Sequence, residues 1–389
     1  MLIIRLKEYQ SQEISKESIS YDLQEKLCRE YSKQIEIDLI ADRKGDRWRI
    51  IAQGYVGYIQ VSPDFAIFIE PKTPIKNVLA MLEYTPEFKG FKFPELAKYD
   101  TLQDFLNSLA SLLATQVLEK CRRGLYRSYI SQRATLEYVR GRIDIPKAIQ
   151  KPWQIKIPCQ YQENTHDNAD NQIIFYTLYR ILRSQLCTEN TQTKVHRAFH
   201  ALQSYVNLYP FTATDCRDRH YSRLNQDYRY LHLLCQFFLD RTAPTHNQGQ
   251  RSSFSFLIDM ASLYETFVAA WLKRYLPPHL QLEEQCKIEI GLTCRIDLVI
   301  KDIQSEKCKF ILDTKYKVRE TVSSQDLHQV RSYAIAMQCP EAILIYPQDL
   351  TKALDDKSDS IRTRSLTFAL DDDLDKCGQR FLRGIIETA

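Results

Sequence analysis

The chain has 389 residues, of which 44% are hydrophobic and 26% charged, and that balance excludes a largely disordered polypeptide. Its net charge of +4 names no partner, because only Lys and Arg clustered on one face release enough counterions to drive nucleic-acid binding. The length exceeds what one compact core usually accommodates, so two or three domains are expected.

The opening residues MLIIRLKEYQ carry a short apolar patch broken by Arg5, Lys7 and Glu8, which is too short for a signal-peptide core. No apolar run approaches the ~18 residues of a membrane span, so a cytoplasmic protein with no membrane partner is expected. The 11 cysteines include no C-x-x-C pair. They read as reduced, mostly buried small apolar residues rather than zinc ligands or a disulfide frame.

From Leu2 to about Glu70 the segments IIRL, IEIDLIAD, WRIIAQGYVGYIQV and FAIFIEP alternate or run apolar, with turn signals at Lys44-Gly45-Asp46 and Ser62-Pro63-Asp64. They predict a small β-rich N-terminal domain. Pro74 to Tyr84 and Leu102 to Cys121 follow as helices, the second ending at Arg122-Arg123-Gly124. Between about 130 and 250, apolar stripes at Asn171 to Leu186, Thr193 to Leu208 and Arg223 to Arg241 predict a helical middle region. TAPTHNQGQRSS, residues 242–253, has the composition of a linker. The expected division is therefore 1–130, 131–250 and 254–389.

After the linker come a helix over Asp259 to Tyr275, strands over Leu282 to Ile290, Cys294 to Ile300 and Lys309 to Tyr316, a helix over Ser324 to Gln338, and a buried strand over Glu341 to Tyr346. This αβββαβ succession implies a mixed sheet covered by helices, and an α+β fold class for the chain.

Asp297 lies in the strand CRIDLVI, and Asp313 and Lys315 lie in FILDTKYK. Side chains alternate along a strand, so 313 and 315 share a face, and adjacency of the two strands would gather all three groups. Two neighbouring carboxylates repel unless a cation lies between them, and Mg²⁺ with part of its water shell is the usual solution in phosphodiester chemistry. Lys315 beside the bound water would orient or deprotonate it and stabilise the transition state. Charged residues embedded in apolar strands are expensive unless used. Glu265, on a helix that buries Leu263, Phe267 and Trp271, is the next candidate; the alternative is an ordinary solvated glutamate. Gln329 and Tyr333 share a helix face and suit either phosphate or water orientation, or capping and core packing.

The ordered run R-I-D, D-T-K and Q-x-x-x-Y resembles the nuclease core of RecB-like PD-(D/E)xK enzymes. With IFIEPKTPIKNVLAMLEY at 67–84, YVRGRIDIPKAI at 138–149, QENTHDNADNQIIFYTL at 162–178 and FLIDMASLYETFVAAWL at 256–272, the chain resembles the McrC family, nuclease subunits of McrBC-type modification-dependent restriction systems. The resemblance implies a Mg²⁺-dependent DNA endonuclease, with Mn²⁺ as a substitute, recruited by a McrB-like AAA+ GTPase hexamer to cut modified double-stranded DNA. It implies docking through the N-terminal half and cutting by the C-terminal domain. Asp297, Asp313 and Lys315 match the catalytic triad, Glu265 and Gln329 match accessory positions, and Asp297, Asp313 and Glu265 become the expected metal ligands. Cys294 stands where related nucleases often carry Gly.

The remaining motifs keep two readings each. Arg140, Arg142 and Asp144 suit partner or phosphate contacts, or a solvated turn. Asp167, Asp170 and Asn171 are read as caps of the following helix. Arg219, Tyr221, Arg223, Tyr228, Arg229 and Tyr230 suit a DNA-backbone face or a helix with its tyrosines turned inward. Rival functions are a non-catalytic adaptor of the ring and a stand-alone nuclease. The sequence contains no GxxxxGK[ST] loop, so nucleotide hydrolysis is expected to come from elsewhere.

Overall fold

The computed structural model describes residues 2–386 except 43–44, 63, 86–98, 185, 218, 241–254, 291, 318–320, 359 and 372. The chain is α+β, with four sheets among the described residues. It divides into two compact units, residues 1–102 with 257–389, and residues 103–256.

The first unit begins with β1 (Leu2–Lys7), β2 (Ser11–Ser15), α1 (Tyr21–Tyr31), β3 (Ile35–Asp42), β4 (Gly45–Ala52), β5 (Tyr55–Ser62), β6 (Phe65–Glu70) and α2 (Ile75–Tyr84). The expected strands are present. Helix α1 was not anticipated, because its apolar stripe is narrow: Leu23, Leu27 and Tyr31, at i, i+4 and i+8, are set among charged and polar residues, and only Leu27 and Tyr31 are buried. Strands β2, β4 and β3 form one antiparallel sheet, and β1 lies parallel to β6 in another, ordered β1-β6-β5-β10, where β10 is Ser255–Asp259. Ile4, Trp48, Ile50, Ile59, Ile67 and Ile69 share the core that these strands enclose.

The three-part division expected from composition is regrouped, since residues 1–102 join 257–389. Strand β10 re-enters the sheet begun by the first 70 residues, and α2 packs against α9 (Met260–Tyr275). The linker expected at 242–253 lies outside the described residues.

The rest of this unit holds β11 (Leu280–Ile290), β12 (Leu292–Asp302), β13 (Cys308–Thr314), α10 (Ser324–Ala336), β14 (Glu341–Tyr346), β15 (Asp355–Ser358), β16 (Ile361–Thr367) and α11 (Leu374–Ile386). The expected αβββαβ order is present. Its mixed six-stranded sheet runs β11-β12-β13-β14-β16-β15, antiparallel from β11 to β13 and parallel from β13 through β14 to β16. Every side chain of β14 is buried, as its continuous apolar run requires of a strand covered on both faces.

The second unit contains α3 (Leu102–Arg123), β7 (Ser128–Leu136), β8 (Arg142–Ile143), α4 (Ile145–Gln150), β9 (Ile157–Thr165), α5 (Ala169–Arg183), α6 (Glu189–Gln203), α7 (Ala213–Arg217) and α8 (Tyr228–Asp240). The middle region expected to be helical therefore opens with a three-stranded sheet, β7-β9-β8. Strand β7 alternates between half-buried and exposed positions, so its residues are largely polar and carry no apolar signature. Among the described residues no helix is long and apolar enough to cross a membrane.

Candidate active site

Strands β12 and β13 read Val299-Ile300 and Phe310-Ile311-Leu312 at their centres, all buried, and they pair antiparallel. Their ladder ends with Leu298 opposite Leu312, and continuing that register by one step brings Asp297 opposite Asp313. Directly opposed residues of an antiparallel pair project from the same face, so the two aspartates are neighbours. Asp297 Oδ2 accepts hydrogen bonds from the Thr314 backbone N–H at 2.9 Å and its hydroxyl at 3.1 Å. Asp313 is only 2% exposed. Burial, reinforced by the Asp297 charge, pushes its carboxyl up to about 6 against the pull of Lys315.

Lys315 lies one residue past β13, where its backbone N–H still reaches Ile345 O at 2.8 Å on β14. Its ammonium is 2.7 Å from Asp313 Oδ2 and donates to Gln329 Oε1 at 3.2 Å. Gln329 in turn donates to the Tyr333 hydroxyl at 2.8 Å. Burial pulls Lys315 down, but Asp313, Asp326 and Asp297 together hold it above the usual lysine value. Gln329 and Tyr333 thus form a chain of hydrogen bonds that aims the ammonium.

Asp326 was missed by sequence reasoning. It is buried on the first turn of α10, 3.9 Å from Lys315 and 3.7 Å from Lys317. Its backbone N–H is capped by Ser323 Oγ at 3.1 Å. The S-x-x-D spacing of Ser323 and Asp326 is a helix-start signal that could have singled it out.

Glu265 projects from α9, whose first turn is capped by Asp259 Oδ1 at 3.0 and 3.1 Å from Ala261 N and Ser262 N. Burial pushes Glu265 up to about 7, with Asp297 and Asp313 adding to the shift and Arg295 opposing it. Glu265 therefore senses the same two aspartates, while its own carboxylate accepts a hydrogen bond from Gln285 on β11.

The described residues hold no group of three or more His, Cys, Asp or Glu side chains arranged around one point as metal ligands. Two opposed aspartates suffice in chemistry for Mg²⁺, which takes oxygen donors and is commonly held by one or two carboxylates while keeping several waters. Burial is the main cause of the raised pKa values of Asp313 and Glu265, and the neighbouring carboxylates add to it; a cation between such groups favours their charged form. The donor set fits a hard divalent ion.

Several other residues singled out in the sequence make internal contacts. Helix α5 is capped by Asn168, whose Oδ1 accepts from Asn171 N at 3.1 Å. Asp167 instead holds Asn207, at 2.9 and 2.6 Å, and Asp170 pairs with Arg219 at 2.8 Å, because both carboxylates lie beside later segments rather than over the helix end. Tyr221 meets His232 Nδ1 at 2.9 Å and the buried Tyr228 donates to Asn171 Oδ1 at 2.6 Å. Arg219, Tyr221 and Tyr228 are thus engaged internally, whereas Arg223, Arg229 and Tyr230 are exposed. Arg140 lies 3.4 Å from Glu163, and Asp144 Oδ1 accepts from Lys147 N at 3.3 Å to cap α4.

Residues 50–347 match the family model described as McrBC 5-methylcytosine restriction system component. The chain belongs to that family. Over 316 residues this McrBC component is 23% identical to the Type IV methyl-directed restriction enzyme EcoKMcrBC of Escherichia coli (strain K12), an alignment covering 72% of this chain and 87% of the relative. Its fold is similar to a chain of the refined half-complex from the tetradecameric assembly of Thermococcus gammatolerans McrB AAA+ hexamers with bound McrC. That match has a TM-score of 0.67 at 18% identity and covers 99% of this chain and 100% of the other.

Proposed function

We propose that this McrBC component is the DNA-cleaving subunit of a restriction complex, a Mg²⁺-dependent endonuclease with a PD-(D/E)xK core that hydrolyses methylcytosine-containing DNA. The observation that carries the reading is the pairing of Lys315 with Asp313, next to Thr314, whose backbone and hydroxyl donate across from β13 to Asp297 on β12. Asp297 and Asp313 would hold the cation, with Glu265 beside them. A bound divalent ion supplies Lewis-acid polarisation of the phosphate and a more acidic water. Thr314 fixes the rotamer of Asp297 through two hydrogen bonds. Lys315, aimed by Gln329, places a positive charge where the phosphate gains negative charge as water adds to phosphorus and the P–O bond to the leaving oxygen breaks.

The similarity to a chain solved with McrB AAA+ hexamers supports a like partner for this chain. A docking surface is offered by residues 129–155, where Tyr129, Tyr138, Ile145, Ile149, Trp153 and Ile155 are exposed; apolar patches of this kind mark protein interfaces. The test is cleavage of methylated and unmethylated plasmid by the chain reconstituted with its AAA+ partner, Mg²⁺ and GTP. Asp313→Ala should lower cleavage of methylated DNA by about 10²-fold or more while the complex still assembles. An Asp313→Ala complex that cuts at the unmodified rate overturns the reading.

A further inference from the structure

Five non-glycine residues among those described have positive φ: Tyr9, Gln285, Glu306, Gln338 and Ser360. Tyr9, Glu306, Gln338 and Ser360 lie in turns or connections between elements, where a left-handed residue reverses the chain. Gln285, at φ 55, lies inside strand β11. The ladder pairs Glu284 with Leu298 and Cys286 with Ile296, so the register is unchanged on either side and no residue has been inserted as in a bulge. Gln285 alone is turned out of the ladder, and the position it faces across the strands is Asp297. Its carboxamide donates a hydrogen bond to Glu265 on α9. Strain that neither reverses the chain nor accommodates an insertion is characteristic of functional sites, where surrounding structure holds a costly geometry in place.

We propose that Gln285 is a positioning residue of the nuclease site, held in a left-handed backbone conformation so that its amide fixes Glu265 beside the Asp297–Asp313 pair. The assignment rests on the nuclease reading and adds to it a group on a third strand of the sheet. Glutamine suits the role because its amide donates to a carboxylate without carrying charge into a site that already holds Lys315 and a cation. The fold by itself would favour glycine here, since glycine adopts this conformation without steric cost.

The experiment compares full-length Gln285→Gly and Gln285→Asn with the unmodified chain by three readouts: melting temperature without metal, Mn²⁺ binding by calorimetry, and cleavage in the reconstituted complex. Gln285→Gly should melt a few degrees higher, because strain is relieved, and should cut about tenfold more slowly through kcat, with KM for DNA little changed. Its Mn²⁺ affinity should also fall severalfold, as expected for loss of a group that orients a ligand. Gln285→Asn tolerates the backbone but is one methylene short, so it should melt like the unmodified chain and share the slower cleavage. Gln285→Gly that cuts at the unmodified rate, or that melts lower or fails to fold, overturns the assignment. Asp313→Ala run alongside separates the two ideas: if it is inactive while Gln285→Gly is fully active, only the Gln285 assignment fails, and if it remains active the nuclease reading itself fails.

Discussion

Glu8 is a carboxylate that no motif in the sequence marks, yet it is 3% exposed and accepts a hydrogen bond from the Tyr316 hydroxyl at 3.2 Å, one residue from Lys315. Lys72 lies 4.0 Å from its Oε1 and sits 3.8 Å above the Tyr316 ring and 4.7 Å above that of Tyr9. Burial pushes Glu8 from 4.5 up to about 7, against the pull of Lys72, and burial also lowers Lys72. Because the folded carboxyl binds its proton more tightly than the unfolded one, the folded state holds more protons between pH 4.5 and 7, and stability falls as pH rises through that window. The loss attributable to Glu8 is on the order of 3 kcal/mol. Glu8→Gln should flatten this slope, so that its melting temperature gains on that of the unmodified chain from pH 5 to pH 8. Parallel melting curves at every pH would refute the assignment. Beside the site, Gln329→Ala frees the Lys315 ammonium from one of its acceptors, and single-turnover cleavage should slow by about tenfold with an unchanged melting temperature. The pairing of Lys315 with Asp313 was legible from their spacing two residues apart, although Lys315 lies just past the end of β13. Glu8 and Gln285 were not, because their partners, Tyr316 and Glu265, are distant in sequence and no local pattern encodes a hydrogen bond across the fold.

Elements with long apolar runs were legible nearly to their ends, β14 from Glu341 to Tyr346 being the clearest. Its buried environment on both faces and its sequence pattern say the same thing. Strands β7 and β9 escaped notice because a small sheet with one exposed side needs few apolar residues, as the polar SYISQRATL shows. Helix α11 illustrates packing that composition alone would misjudge. Alanine is the better helix former by about 1 kcal/mol, so Gly378→Ala would look stabilising. A Cβ at Gly378, however, would lie 2.3 Å from Trp271 Cε2 and Cζ2, and Trp271 is fully buried on α9. Overpacking of this kind costs about 1–3 kcal/mol, enough to outweigh the propensity. Gly378→Ala should lower the melting temperature by several degrees, and a thermal melt equal to or above that of the unmodified chain would contradict the close approach.

At the scale of the molecule, the six-stranded sheet is not a detachable C-terminal piece. Residues 1–102 and 257–389 form one compact unit. Strand β10 joins the N-terminal sheet, Asn77 Nδ2 donates to Leu370 O at 2.7 Å, and the Tyr84 ring meets Phe267 at 5.1 Å. Helix α2 buries Ile75, Val78, Leu79, Met81 and Leu82, whose combined transfer energy is on the order of 10 kcal/mol, comparable with the whole stability of a domain. Residues 255–389 expressed alone should therefore be insoluble or lack a cooperative melt, and co-expression with 1–102 should restore both. A cooperative melt from 255–389 alone would disprove the shared core.

Periodicity and spacing within short windows by themselves determined the α+β class, the αβββαβ succession and the D-x-K spacing, while the family came from the resemblance of its ordered segments to known relatives. Only the tertiary structure decided that Asp297 faces Asp313, that Gln285 is turned toward Glu265, and that the two ends of the chain share a core. Alternation along a strand is a property of adjacent residues. Strand register and the closing of long loops depend on which distant surfaces bury each other well enough to offset the chain entropy they cost.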